Sequence, residues 1–297
     1  MAAAGEDIST SIDFVADLPL YREEKLYFLN LPAAETAGAD FDSIQTTNIQ
    51  WNRPSVKIQS MRDKNLTLDR NGFCYLQHGS EHIQDVRLGA EWIPKYRKET
   101  EDLLRDVLKP DFVLCYNHKI RKNAPIKFDS FDPTDPTLVE ETATGAHDIS
   151  VDTVPRKVSQ ILSEDQRQLY LQPDYRIRLV NTWRPLLPVC EDRPLALCDY
   201  TSMDPTDLLA TDRVYPTWVQ EIYYLKHNPK QRWFWLPKQT SSEPFLFLTF
   251  DSHPQANARY CPHVSVDNPL TPANAPPRES IETRSIVISR IEGVADG

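Results

Sequence analysis

Glycine is scarce in this sequence, eight residues among 297. No Walker loop, GxGxxG, GxSxG or HExxH occurs, so the usual nucleotide-binding, serine-hydrolase and metalloprotease readings lose their support. Cysteine is sparse and odd in number: Cys74, Cys115, Cys190, Cys198 and Cys261 are widely spaced, and none forms a CxxC pair. That pattern argues against a disulfide framework and against a zinc cluster; buried reduced thiols of a cytosolic protein are the expectation. Long apolar runs are missing, and nothing approaches the roughly 20 residues needed to span a bilayer. The first residues, MAAAGEDISTSIDF, have neither the basic nor the apolar segment of a secretory signal. A cytoplasmic protein with no membrane partner is predicted. Positive charge is in deficit, 33 Lys and Arg against 43 Asp and Glu, for a net charge of -10. Such a surface repels phosphate backbones, so no nucleic-acid partner is expected.

Proline, by contrast, is abundant at 24 residues. It is excluded from helix interiors and central strands, so irregular connections between short strands are expected. Period-two alternation marks the strands. Val56 to Met61 alternates, as do Phe112 to Tyr116, Tyr175 to Trp183, Gln220 to His227, Arg232 to Leu236, Phe245 to Asp251, Arg259 to Val266 and Ile281 to Ile291. Leu195 to Asp199 reads as another short strand, and Asn71-Gly72 reads as a hairpin turn between Leu66 and Leu76. Two stretches carry a helical apolar stripe, 91–108 ended by Pro110, and 155–171 with Pro155 near its start. Residues 121–141 are polar and proline-bearing, a long surface excursion of the kind used as a lid or binding loop. Residues 1–45 are weakly patterned and read as an N-terminal arm packing on a single main domain, 46–297. The whole is predicted to be mainly β, an antiparallel sandwich or barrel with a few flanking helices, preferably the double-stranded β-helix or jelly roll of the cupins.

Such a barrel can hold a metal. A non-heme Fe(II) oxygenase needs two histidines and one carboxylate on one side of the iron, with the other positions left open. Its usual form is His-x-Asp on one strand and a distant second histidine, because residues i and i+2 share a strand face. Here His147 and Asp148 are adjacent, so a regular strand sends them to opposite faces, and only a β-bulge would turn both inward. His263 lies in an alternating segment fifteen positions before Arg278 (278 − 263). Arginine offers a rigid fork to a carboxylate, and Ser280 shares its strand face, the shape of a 2-oxoglutarate site. The plain alternative is a surface arginine at a strand start. Asn181 and Trp183 share a face, as do Tyr224 and Lys226, and either pair could line a pocket; core packing explains a tryptophan equally well.

The stretches LTLDRNGF (66–73), FVLCYNHKIR (112–121), VNTWRPL (180–186), RPLALCDYTSMDPTDLLATD (193–212), YYLKHNPKQRWFW (223–235), FDSHPQANARYCPHVSVDNP (250–269) and APPRESIETRSIVI (275–288) together resemble the AsaB-like fungal hydroxylase/desaturase family, which is CmcJ-related. The resemblance covers about residues 50–290. It implies a jelly roll and Fe(II)/2-oxoglutarate chemistry on a small natural product of fungal secondary metabolism. It makes His263 the distal iron ligand, Arg278 and Ser280 the co-substrate site, and Arg284 a second candidate for that carboxylate. Asp148 matches the family's aspartate, but the family's histidine falls on Ala146, with His147 next to it. Two outcomes follow. Either the strand shifts locally and His147, Asp148 and His263 hold iron, or the triad is broken. In the second case the scaffold would be a metal-independent cyclase, isomerase or dehydratase, or a non-catalytic binding or accessory protein. Substrate identity and oligomeric state, a homodimer included, stay open.

Overall fold

Alternating strands bury one face each, and two sheets that share a buried face make a sandwich. A computed structural model of the chain describes residues 6–30, 44–126, 132, 135–253 and 255–291. In chain order its main strands are β1 (Ile8–Ser11), β2 (Leu26–Leu29), β3 (Ser55–Ser60), β4 (Phe73–Tyr75), β5 (Phe112–Lys122), β6 (Val139–Glu141), β7 (His147–Ile149) and β8 (Tyr175–Pro185). Then follow β9 (Leu195–Cys198), β10 (Leu208–Val214), β11 (Val219–Leu225), β12 (Trp233–Trp235), β13 (Phe245–Asp251), β14 (His263–Ser265) and β15 (Glu279–Arg290). Nine of them form one sheet in the order β1-β3-β12-β9-β14-β7-β11-β10-β2, and six form the other, β4-β13-β8-β15-β5-β6. The sheets face each other as a jelly roll.

Side-chain parity fixes which layer each residue enters. Trp183, Phe245 and Phe247 from the six-stranded sheet meet Leu195, Leu197 and Phe234 from the nine-stranded sheet in the shared interior. The opposite parity of the nine-stranded sheet, with Ala146, Ala196, Leu225 and Trp233, packs against Ile12 and Phe14 of the N-terminal segment. That segment is woven into the sheet: β1 pairs with β3, and β2 runs parallel to β10. Residues 31–43 of the expected arm lie outside the described residues.

Among the described residues, four α-helices surround the strands. The long α2 (Ile93–Leu108), after the short α1 (Leu68–Asn71), covers the outer face of the six-stranded sheet through Ile93, Tyr96, Leu103 and Leu104. The expected hairpin at Asn71-Gly72 is instead a helix end. Thr67 caps α1 at Arg70 N–H, and Gly72 at φ 86° takes the left-handed position that terminates it. The expected helix over 155–171 is two, α3 (Val154–Ile161) and α4 (Glu164–Tyr170), because Ser163 forms a capping box with Gln166 and starts the chain afresh. The expected excursion over 121–141 is partly strand, since β5 runs on to Lys122 and β6 pairs parallel with it; residues 127–131 and 133–134 lie outside the described residues. All five cysteines are free thiols. Among the described residues no helix is long and apolar enough to cross a membrane.

Two features of the six-stranded sheet shape the interior. On β15 every second residue faces inward, so Ser280, Glu282, Arg284, Ile286 and Ile288 form one row, with Arg278 just before it. On β5 the pairing slips by one residue: Arg284 opposes Asn117, Ser285 opposes Cys115, and Tyr116 is the extra residue of a bulge. Before the bulge Phe112 and Leu114 face in; after it Asn117, Lys119 and Arg121 do, while His118 turns outward to Arg97 of α2.

Candidate active site

Two imidazoles stand together in the interior. His147 on β7 and His263 on β14 are direct cross-strand partners, and their ring centroids are 4.6 Å apart. Each ring is oriented by its own strand's approach. His147 Nδ1 lies 2.8 Å from the Gly145 carbonyl, and His263 Nδ1 lies 3.1 Å from the Cys261 carbonyl. A carbonyl oxygen only accepts, so Nδ1 carries the proton in both rings and each Nε2 offers a lone pair. That is the arrangement that orients a metal-binding histidine. Burial pushes the His147 imidazolium pKa well below the usual value, with the neighbouring His263 adding to the effect; burial lowers that of His263 too. Both are therefore neutral donors at neutral pH. Phe247 packs 4.8 Å from His263, and Tyr224 stands 6.4 Å from His147 with Trp51 against it.

Asp148 does not join them. Parity sends it away from the face of His147, and no bulge intervenes. Its two oxygens are occupied: Oδ1 accepts from Ile149 N–H at 2.7 Å and Oδ2 from Cys261 N–H at 2.9 Å. Burial raises its carboxyl pKa well above the ordinary value, with those two N–H groups opposing the rise. Ala146 is fully buried in the outer cluster, so a histidine there would miss the interior in this register. The residue that shares the inward face with His147 is Ile149, which offers no ligand atom. Of the expected His147-Asp148-His263 set, the fold brings the two histidines together and turns Asp148 away. Among the described residues no three His, Cys, Asp or Glu side chains are placed to hold one metal ion.

Across the interior stands a carboxylate that sequence reasoning passed over. Glu282 is buried and faces the histidines from β15. Its Oε1 accepts from Arg284 Nε at 3.0 Å and Asn181 Nδ2 at 3.2 Å. Burial opposes its ionisation, but Arg284, His263 and Arg121 outweigh it and hold the carboxyl down at about 2. The alternation Arg278-x-Ser280-x-Glu282-x-Arg284 was the available signal, because parity alone puts all four on one face. Lys119 and Arg121, inward from β5, pair with Glu140 of β6.

Arg278 is almost wholly buried, and among the described residues no acidic side chain pairs with its guanidinium. Nη1 donates to the Arg193 carbonyl at 2.8 Å and to Ser265 Oγ at 3.1 Å, and Nε is buried with no partner. The guanidinium lies 5.6 Å from the centre of the Trp183 ring. Burial pulls its pKa down to about 10. Ser265 is two residues past His263 on the same face, about 7 Å along the strand. A buried cation without an acid is costly unless an anion arrives. Ser280 is buried on the same β15 face.

The expected pocket residues divide. Asn181, Trp183 and Tyr224 are in the interior. Lys226 lies beyond the end of β11, with its ammonium 3.4 Å from Asp17, and is not brought to the histidines. One feature of this placement is that the polar groups collect in mid-cavity, while Trp183, Phe245 and Phe247 close one side with apolar surface.

The chain has known relatives. A family model described as an oxidoreductase/YMDC permease-like domain matches residues 24–288. The hydroxylase/desaturase efuI of Hormonema carpetanum is 27% identical over 267 residues, covering 82% of this chain and 87% of that protein. The Fe(II)/2-oxoglutarate-dependent dioxygenase nvfI of Aspergillus novofumigatus is 26% identical over 273 residues, covering 89% and 91%. The solved structure of the iron and alpha-ketoglutarate-dependent endoperoxidase NvfI superposes with a TM-score of 0.79 at 22% identity, covering 96% of this chain and 98% of that one. The fold is therefore that of a jelly-roll enzyme.

Proposed function

We propose, from the premise that this chain belongs to the oxidoreductase/YMDC permease-like family, that it is an Fe(II)/2-oxoglutarate-dependent oxygenase of fungal secondary metabolism acting on a small natural product. The observation that carries the reading is one continuous surface. The His147-His263 pair offers two free Nε2 atoms, and Ser265, two residues on, holds a buried guanidinium that lacks an acid.

The residues fit both groups in part or in full. Iron would be held by His147 and His263, whose Nδ1 protons are already committed to carbonyls. Asp148 does not fit as a third donor. 2-Oxoglutarate fits Arg278: its distal carboxylate would satisfy the orphaned Nε and neutralise the buried charge. When bound, iron and 2-oxoglutarate supply the oxidising power to open a C–H bond with oxygen, for hydroxylation, desaturation or ring closure. The chain's own part is positioning. Trp183 under the guanidinium and Phe247 against His263 keep water from those groups and fix their planes. Glu282, ionised and anchored by Arg284 and Asn181, sets a negative field opposite the imidazoles.

The test is anaerobic calorimetry with Fe(II) and 2-oxoglutarate. Stoichiometric Fe(II), and 2-oxoglutarate affinity that rises when iron is present, are expected. Binding of neither would overturn the reading. A second reading, a metal-independent cyclase, isomerase or dehydratase on this scaffold, is favoured by the engagement of both Asp148 oxygens with backbone. It requires full turnover in EDTA.

A further inference from the structure

Beyond the histidines and Arg278, Lys157 is a cation that no acid among the described residues answers. Lys157 sits on α3, the helix that closes the end of the cavity where Ile286, Ile288 and Leu179 line β15 and β8. Its ammonium stands 5.2 Å above the Tyr116 ring, at the bulge of β5, and makes no hydrogen bond or ion pair among the described residues. The charge nearest to it in effect is that of Arg284, another cation. Opposite Arg284 in the pairing, Asn117 keeps a buried Oδ1 with no partner. Ile149 and Leu114 supply apolar surface around the group. Arg284 meets β5 at the bulge whose Tyr116 ring lies under Lys157, so two cations share this half-buried place with one carboxylate, Glu282, already tied to Arg284, an arrangement that repels itself until an anion enters.

We propose that Lys157, with Arg284 beside it, receives a carboxylate carried by the organic substrate, so that the enzyme's substrate is a small, largely apolar organic acid. This rests on the oxygenase reading of the same site. The co-substrate's distal carboxylate has its own cation in Arg278, held by Ser265 on the β14 side, whereas Lys157 stands at the α3 end of the cavity, across the row of Ser280, Glu282 and Arg284. Two anions thus have two separate receivers, and the substrate's apolar body would lie between them, beside the histidines. The depressed basicity of Lys157 agrees: burial, with Arg284 adding to it, pulls its pKa down to about 8, and a bound carboxylate would reverse that.

The test uses the full chain saturated with 2-oxoglutarate, and straight-chain carboxylates from butyrate to dodecanoate alongside the matching neutral amides, titrated by calorimetry. At least one carboxylate should bind tenfold or more tighter than its amide. Lys157→Met should abolish that preference while leaving amide binding and 2-oxoglutarate affinity unchanged. Lys157→Arg should keep it, and Lys226→Met should not alter it. The proposal is overturned if no carboxylate in the series outbinds its amide, if Lys157→Met leaves the preference intact, or if 2-oxoglutarate competes the carboxylate away. Because the measurement needs no iron and no turnover, failure of the oxygenase reading, seen as absent Fe(II) binding, is recorded separately.

Discussion

His147 and Asp148 are adjacent in the chain yet stand on opposite faces of one three-residue strand, so only His147 shares a surface with His263. The carboxylate of Asp148 ties the backbone of β7 to Cys261, just before β14. It thereby holds the two histidine strands together from behind.

Replacing Asp148 by Asn should therefore cost stability before it costs metal. Asn retains one acceptor and sets an amide donor against a backbone N–H, leaving a buried group unsatisfied, at about 1–3 kcal/mol. Thermal denaturation should fall by several degrees, while the folded variant still binds Fe(II). A folded Asp148→Asn protein that has lost iron would show that Asp148 is a ligand after all.

His147→Ala and His263→Ala should each remove Fe(II) binding with little change in the fold. Each ring's one hydrogen bond is from Nδ1 to a carbonyl, so neither truncation orphans more than that carbonyl. Anaerobic metal analysis of the gel-filtered protein, with circular dichroism for the fold, decides this. Retention of stoichiometric iron by either variant would remove that histidine from the site.

Arg278→Met should weaken 2-oxoglutarate by about 10- to 100-fold, the worth of roughly 1.5–3 kcal/mol for hydrogen bonds to a charged group. Trp183 lies beneath the guanidinium and reports the binding by its fluorescence. Unchanged affinity would shift the co-substrate site to Arg284 or Lys157.

Lys157→Met should stabilise the protein at neutral pH. Its folded pKa of about 8 lies below the ordinary 10.5, so between those values the unfolded chain holds a proton that the native chain does not. Stability of the wild type should rise with pH through that window. The cost is fully present below pH 8, at most about 3 kcal/mol by the 1.36 kcal/mol per unit rule, and vanishes above 10.5. Denaturant titrations of both proteins at pH 7 and pH 10.5 should show the gap closing; a gap independent of pH would assign it to packing.

Glu243 is a site with the opposite sign. It pairs with Arg62 and accepts from Thr240 N–H at 2.9 Å and Gln77 Nε2 at 3.1 Å. Burial works against its charge, but Arg62 and those donors hold the carboxyl down at about 2, against an ordinary 4.5. Its contribution is complete above pH 4.5 and is lost as pH falls toward 2. Glu243→Gln should lose about 2 kcal/mol at pH 7 and match the wild type at pH 2.

Strand parity made much of this architecture legible. The period-two pattern is local, so the strand over 175–185 and the inward row Arg278, Ser280 and Arg284 follow from sequence order alone. Register is not local. That His147 rather than Ala146 faces the cavity depends on which residue of β7 meets His263, a contact 116 positions away (263 − 147). Asn71-Gly72 misled for a different reason: a left-handed glycine ends a helix as readily as it turns a hairpin, and Thr67 three residues before Arg70 was the clue that separates the two. The break at Ser163 was likewise written in its capping box with Gln166. Lys157 left a fainter mark, a helical lysine with no acid three or four positions to either side.

The extra residue on β5 gives the cavity wall a property of its own. Tyr116 is the point at which the inward parity of that strand changes, from Phe112 and Leu114 to Asn117, Lys119 and Arg121. The bulge keeps both halves of the strand on the same face: if the same residues paired without it, one half would turn over, and His118 and Ile120 would replace the charged wall. The charged half of the wall thus hangs on one unpaired residue, on a strand of the sheet opposite the one that carries the histidines.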